Sequence, residues 1–199
     1  MYRLGDYLSG YFQRHERNAT ARVCERWPRS VGCAFLSERW PRASVCARLR
    51  ALRPTRLRPD VAVHVRAGDV LDWPVYRRAG WCNAPAERGC RYAMPLSFYR
   101  AVPLPAGMTA IDVFSDPRFR YEPRYGTARS AQYLAAVVGV LRNRSGVPVR
   151  THFEGGAGAA DDAIAAMARA CVLVPSRGGF SELARECWQQ QGHERERRC

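Results

Sequence analysis

The sequence predicts an α/β fold, a Rossmann-like parallel sheet with helices on both faces. Short runs rich in β-branched residues recur at 61–66, 110–114, 147–153 and 171–174. Segments with helical spacing of apolar residues separate or follow them, at 96–102, 128–141, 160–170 and 180–190. Strand–helix alternation of this kind winds a parallel sheet. In such sheets ligands bind beyond the carboxyl ends of the strands. Polar or glycine-rich clusters stand at three of those ends: Arg66-Ala67-Gly68-Asp69, Ser115-Asp116 and Ser176 to Ser181.

In chain order, residues 4–17 read as a helix with Leu4, Leu8, Tyr11 and Phe12 on one side. Residues 24–60 are rich in Arg, Pro, Trp and Cys, and Pro28, Pro41, Pro54 and Pro59 interrupt any long element. A boundary near residue 60 separates this region from the alternating part, 61–199. The first strand, Val61 to Arg66, runs into Ala67-Gly68-Asp69, and a loop insert extends from Asp72 to about Met94. Leu96 to Val102 forms a short helix after Pro95, and Ala110 to Phe114 is the second strand, ended by Ser115-Asp116-Pro117. The helix at 128–141 carries Tyr133, Leu134, Val137, Val138 and Leu141. A third strand at 147–153 leads through the link Glu154–Gly158 into a helix with Asp161 and Asp162 in its first turn, where carboxylates suit the helix dipole. The fourth strand, 171–174, turns through Ser176–Gly179 into the last helix.

The formal net charge is +14 and the pI about 10.1, a balance that first suggests a polyanionic partner. All 32 basic residues are arginine, alongside abundant alanine, glycine and proline, and they are spread along the chain. That pattern is a coding bias towards GC-rich codons rather than a basic patch, and it argues against a nucleic-acid partner. The charge still draws in a small anion such as a nucleoside diphosphate. No apolar run approaches the about 20 residues that span a bilayer. The opening Met1–Asp6 does not read as a signal peptide, since no apolar stretch follows its charge.

None of the eight cysteines sits in a C-x-x-C pair, so a zinc site is not expected. Cys82 and Cys90 flank a short polar stretch that a disulfide would close, and Cys171, in an apolar run, reads as a buried thiol. Two acceptor sequons, Asn18-Ala19-Thr20 and Asn143-Arg144-Ser145, together with the cysteines point to a lumenal compartment.

Four clusters carry possible chemistry. In His64-Val65-Arg66-Ala67-Gly68-Asp69, Arg66 offers a bidentate fork to a phosphate and Gly68 a close backbone approach. Asp69 holds Arg66 or faces a hydroxyl, and a plain Arg66–Asp69 salt bridge is the bland alternative. On strand alternation, His64 and Arg66 share a side. Ser176-Arg177-Gly178-Gly179-Phe180-Ser181 places glycines and hydroxyls at a helix N-terminus, an anion-binding arrangement, with Ser181 as the simple N-cap in the alternative. Asp161-Asp162 either serves the helix dipole or accepts hydrogen bonds from guanine, and Asp116 is either a site carboxylate or part of an Asp-Pro turn. A serine-hydrolase elbow, G-x-S-x-G, is absent, and with no lysine there is no Walker loop. Glu154–Gly158 is glycine-rich but lacks the G-x-G-x-x-G order.

Taken together, H-V-R-A-G-D at 64–69, V-F-S-D at 113–116, and D-D-x-x-x-x-M-A-R-A-C-V-L-V at 161–174 leading into G-F-S at 179–181 resemble the GDP-fucose-dependent fucosyltransferases. This is the superfamily of the α-1,2, α-1,6 and protein O-fucosyltransferases. L-G-D-Y-L-S-G-Y-F at 4–12, with Gly5 and Asp6, is similar to the family's opening glycine turn. The resemblance implies a GT-B architecture, with 61–199 as the Rossmann-like nucleotide-sugar-binding half and 1–60 as an abridged acceptor-side region. It implies an inverting, metal-independent transfer of fucose from GDP-fucose to a glycan or protein hydroxyl, with no cofactor, in the Golgi or ER lumen. Arg66 would grip the β-phosphate, and Ser181 with nearby backbone N–H groups the phosphates. His64 and Asp162 would contact the nucleoside, with Gly68, Asp116, Ser176, Gly179 and Phe180 completing the donor site. Asp69 or Asp72 would deprotonate the acceptor. The alternatives are a catalytically inactive GDP-sugar-binding remnant and a basic nucleic-acid-binding protein.

Overall fold

A computed structural model describes residues 46–47, 49–51, 57–67, 69–72, 93–116, 128–153, 159–192 and 199. The expected helix at 4–17, the Gly5-Asp6 turn, Gly68, the Cys82–Cys90 loop and the link at 154–158 lie outside the described residues.

Four strands form one sheet: β1 (Val61–His64), β2 (Ile111–Ser115), β3 (Val149–Phe153) and β4 (Val172–Val174). Its order is β3-β2-β1-β4, with β1 parallel to β2 and β2 parallel to β3. The described helices are α1 (Asp69–Asp72), α2 (Leu96–Ala101), α3 (Ala128–Ser145), α4 (Ala159–Ala168) and α5 (Gly179–Gln189). The architecture is therefore a parallel α/β sheet flanked by helices, as the alternating pattern requires. None of the described helices is long and apolar enough to cross a membrane.

The chain divides into two compact units. One comprises Pro59–Glu154 and Val174–Arg177. It holds β1 to β3, α1 to α3, the last residue of β4 and the turn after it. Val61, Val63, Val65, Ile111, Val113, Leu71, Tyr99, Val137 and Leu141 are fully buried there. α3 packs on β2 and β3 and against α1 and α2. Before the strands, the Asp60 carboxylate accepts hydrogen bonds from the backbone N–H and hydroxyl of Thr109, each 2.7 Å. The backbone bond is the main cause that holds Asp60 below its ordinary pKa. The Tyr133 hydroxyl donates to the Met94 carbonyl at 2.6 Å, leaving Tyr99 to donate to Tyr133 at 3.2 Å. Burial is the leading cause that raises both phenols, Tyr133 to about 12.

α3 runs beyond the expected Leu141 to Ser145. Its polar end is anchored by Arg144, whose guanidinium donates to the carbonyls of Tyr99 and Val102 at 3.0 and 2.8 Å and so caps α2. Gly146, at φ 67°, then closes the helix in the left-handed region, with its N–H donating to the Arg142 carbonyl at 3.1 Å.

The second unit comprises Gly155–Leu173, Gly178–Cys199 and the chain up to Arg58. α4 and α5 pack together around Ile164, Met167, Leu183 and Ala184. The Trp188 indole N–H donates to the Ala170 carbonyl at 2.9 Å. A disulfide joins Cys46 to Cys187, linking the N-terminal part of this unit to α5. Cys171 is not the buried thiol expected: it is half-buried and bonded to Cys199. Its apolar neighbours suggest a core thiol, but Cys171 precedes β4 at a bend, where a partner 28 residues away reaches it.

Candidate functional site

The strand order β3-β2-β1-β4 places β1 between the next described strand in sequence and the last described strand. From β1 the chain builds outwards through β2 to β3, then returns to β1's other side as β4. That is a topological switch point, where crevices open at the carboxyl ends of parallel strands. The first unit holds the tips of both strands, His64 at the end of β1 with Val65-Arg66 beyond it, and Val174 at the end of β4 with Pro175-Ser176-Arg177 beyond it.

The exit of β1 is fixed in two ways. The Val65 N–H donates to the Phe114 carbonyl at 2.9 Å, and the Ser115 hydroxyl donates to the Val65 carbonyl at 2.9 Å. The residue before Arg66 is thus tied to β2 on both its backbone groups, so Arg66 leaves the sheet from a fixed point. Arg66 itself is half-buried. Across the switch point, His64 Nδ1 and Ser176 Oγ are 2.8 Å apart in a hydrogen bond whose donor depends on the imidazole tautomer. Burial first, and then repulsion from the Arg66 guanidinium, push the His64 pKa down to about 3. The ring is therefore neutral at physiological pH, and the positive charge at the β1 tip belongs to Arg66.

His64 opens a row of rings. In register it lies beside Phe114, which lies beside His152. Phe114 and His152 stack with centroids 4.8 Å apart and planes 17° apart. On the same face, two residues back along β2, Asp112 is almost fully buried and pairs with His152 Nε2 at 2.7 Å. Sequence reading did not single out Asp112 or His152. The signal was a carboxylate inside the apolar run Ile111-Asp112-Val113-Phe114, since a buried carboxylate needs a partner. Ser115 belongs to the Ser115-Asp116 cluster, and nothing local in the sequence announces its hydrogen bond to β1.

Asp72, a candidate base, lies at the end of α1 and caps α3. Its carboxylate accepts hydrogen bonds from the backbone N–H groups of Arg129 and Ser130, at 3.2 and 3.1 Å, and from the Ser130 hydroxyl. To act as a base it would have to release the first turn of that helix. Asp69, the other candidate, opens α1. Asp116 is half-buried immediately after β2. Together, His64, Arg66, Asp72, Asp116 and Ser176 belong to the first unit.

Asp162, Gly179, Phe180 and Ser181 belong to the second. Asp162 is exposed in the first turn of α4, whereas Phe180 and Ser181 are buried in the first turn of α5. Ser181 is not the N-cap. That position falls to Gly178, at φ 99°, a conformation open to glycine and strained for other residues. The helix therefore begins earlier than a hydroxyl-based cap suggests, and Ser181 is its third residue.

No family model, curated protein or solved structure matches the chain.

What the site can do follows from its own chemistry. A guanidinium, a hydroxyl and a neutral imidazole stand at the carboxyl ends of two adjacent parallel strands, in a chain of strongly positive charge. Arginine presents paired donors to phosphate oxygens, and a serine hydroxyl adds a further donor. Among the described residues no group of three His, Cys, Asp or Glu side chains is placed to hold a metal ion.

Proposed function

We propose that the chain binds GDP-fucose or a related GDP-sugar at the β1–β4 switch point and transfers the sugar to a hydroxyl, as a glycosyltransferase with a GT-B donor half. The observation that carries this reading is the His64–Ser176 hydrogen bond at 2.8 Å, which brings the end of β1 and the residue two places after β4 together at one end of the sheet. Arg66 then faces the β-phosphate. As the sugar–phosphate bond breaks, negative charge grows on GDP, and a guanidinium placed there stabilises the transition state more than the ground state. A neutral His64 adds no competing charge and offers a hydrogen bond to the nucleotide. Asp69 is the acceptor base in this scheme, because Asp72 is engaged in capping α3. The compartment is the secretory lumen, in keeping with the described disulfides Cys46–Cys187 and Cys171–Cys199.

Calorimetric titration with GDP and GDP-fucose tests the reading. The wild type should bind both, and Arg66→Ala should weaken binding by about 1.5–3 kcal/mol, the usual worth of a charged hydrogen bond. Equal GDP affinity in the two proteins would remove the proposal. Binding without GDP release from GDP-fucose, in the presence of glycan or protein acceptors, would identify a donor-binding remnant instead.

A further inference from the structure

We infer that Asn143 is an N-glycosylation site, occupied in the folded protein. Asn143-Arg144-Ser145 satisfies the acceptor triplet, with arginine rather than proline in the middle and glycine rather than proline following. A glycan on a triplet is compatible with the fold only where the folded chain leaves the asparagine, and the space a glycan needs, open to solvent. Asn143 passes that condition. It lies in the last turn of α3, is exposed, and is flanked by exposed Arg142 and Arg144. The helix stops directly afterwards at Gly146, around which a Cβ would meet nothing within 4 Å. The neighbouring polar groups are already engaged elsewhere. Arg144 reaches back to the carbonyls of Tyr99 and Val102, and the Ser145 hydroxyl accepts the Val147 N–H at 3.3 Å. A glycan on Asn143 therefore leaves the cap of α2 and the end of α3 intact.

A second, independent observation supplies the compartment. Cys46–Cys187 and Cys171–Cys199 are both disulfide-bonded, and the described residues include no free cysteine. Disulfides persist in the oxidising lumen where lipid-linked oligosaccharides are found, and are rare in the cytosol. The reaction balances with that co-reactant. The Asn143 carboxamide nitrogen attacks the anomeric carbon of the oligosaccharide, the new C–N bond forms, the sugar–phosphate C–O bond breaks, the lipid pyrophosphate leaves, and one carboxamide proton is lost. This inference is independent of any nucleotide site.

The test expresses the full chain behind a cleavable signal sequence in a eukaryotic secretory host, in an Asn18→Gln background so that only one triplet remains. Digestion with peptide N-glycosidase in heavy-oxygen water should remove one discrete gel step and convert Asn143 to labelled aspartate. Asn143→Gln and Ser145→Ala should each abolish the step, and Ser145→Thr should retain it. Because glycan transfer precedes folding, the readout holds even for a variant that does not fold. Recovery of Asn143 unlabelled from the lumenal chain would overturn the inference.

Discussion

At the residue scale His64 is the most heavily perturbed group of the candidate site. Burial and Arg66 lower its pKa to about 3, whereas an unfolded histidine titrates near 6.5. Above pH 6.5 neither state binds the proton, and His64 imposes no cost. Below it the unfolded chain takes up a proton that the folded chain refuses, so stability falls, approaching about 1.4 kcal/mol per pH unit, until the folded group titrates. Thermal melts at pH 7.5 and pH 5 should therefore show a larger loss of midpoint for the wild type than for His64→Gln. Equal losses would mean that the imidazole is charged in the folded state, and its place beside Arg66 would need another explanation. Asp112 offers a contrast: a similarly buried group, it is matched by His152 at 2.7 Å. Loss of His152 would leave a carboxylate buried without its partner.

At the element scale the site depends on how α1 and α3 are joined. α3 has no acidic residue in its own first turn, and Asp72 supplies the missing acceptor from another helix. Asp72→Ala should lower stability by about 0.5–2 kcal/mol, the range for a lost N-cap, with Asp72→Asn recovering part of it. Chemical denaturation measures both, and an unchanged midpoint in Asp72→Ala would free Asp72 for the role of acceptor base. Apart from α1, a four-residue helix where the sequence pattern indicates only a strand end and a loop, the described elements were legible, because most of the strands are short apolar runs and the longer helices carry periodic faces. Val61-Ala62-Val63 and Ile111 through Phe114 are buried throughout, as parallel strands require. β3 is the exception, an edge strand with Arg150, Thr151 and Phe153 exposed. What sequence alone did not yield were the long-range pairs. Asp72 with Ser130, Asp112 with His152, and Cys171 with Cys199 join elements whose register only the folded chain sets. Within a single element the misses were at ends. Gly178 rather than a hydroxyl residue caps α5, and Arg144 carries α3 past its periodic face.

At the scale of the whole molecule, the N-terminal part of the chain and helix α5 belong to one unit, closed by Cys46–Cys187 across 141 residues. A link over so long a loop restricts the unfolded chain strongly. The paired Cys46→Ser and Cys187→Ser substitutions should cost about 2–5 kcal/mol, read from denaturation without reductant. Both sulfurs are buried, whereas Cys199 is exposed. Mild reductant should therefore open Cys171–Cys199 first, and mass-tagging of freed thiols reports that order. The net charge of +14 is carried wholly by arginine against 18 acidic residues and favours encounter with anions. It does not say where an anion would bind. That question is settled most directly by a crystal structure of the chain with GDP. The account predicts diphosphate oxygens within about 3 Å of the Arg66 guanidinium, beside the Ser176 hydroxyl at the carboxyl ends of β1 and β4. GDP bound away from both side chains, or not bound at all at saturating concentration, would contradict it.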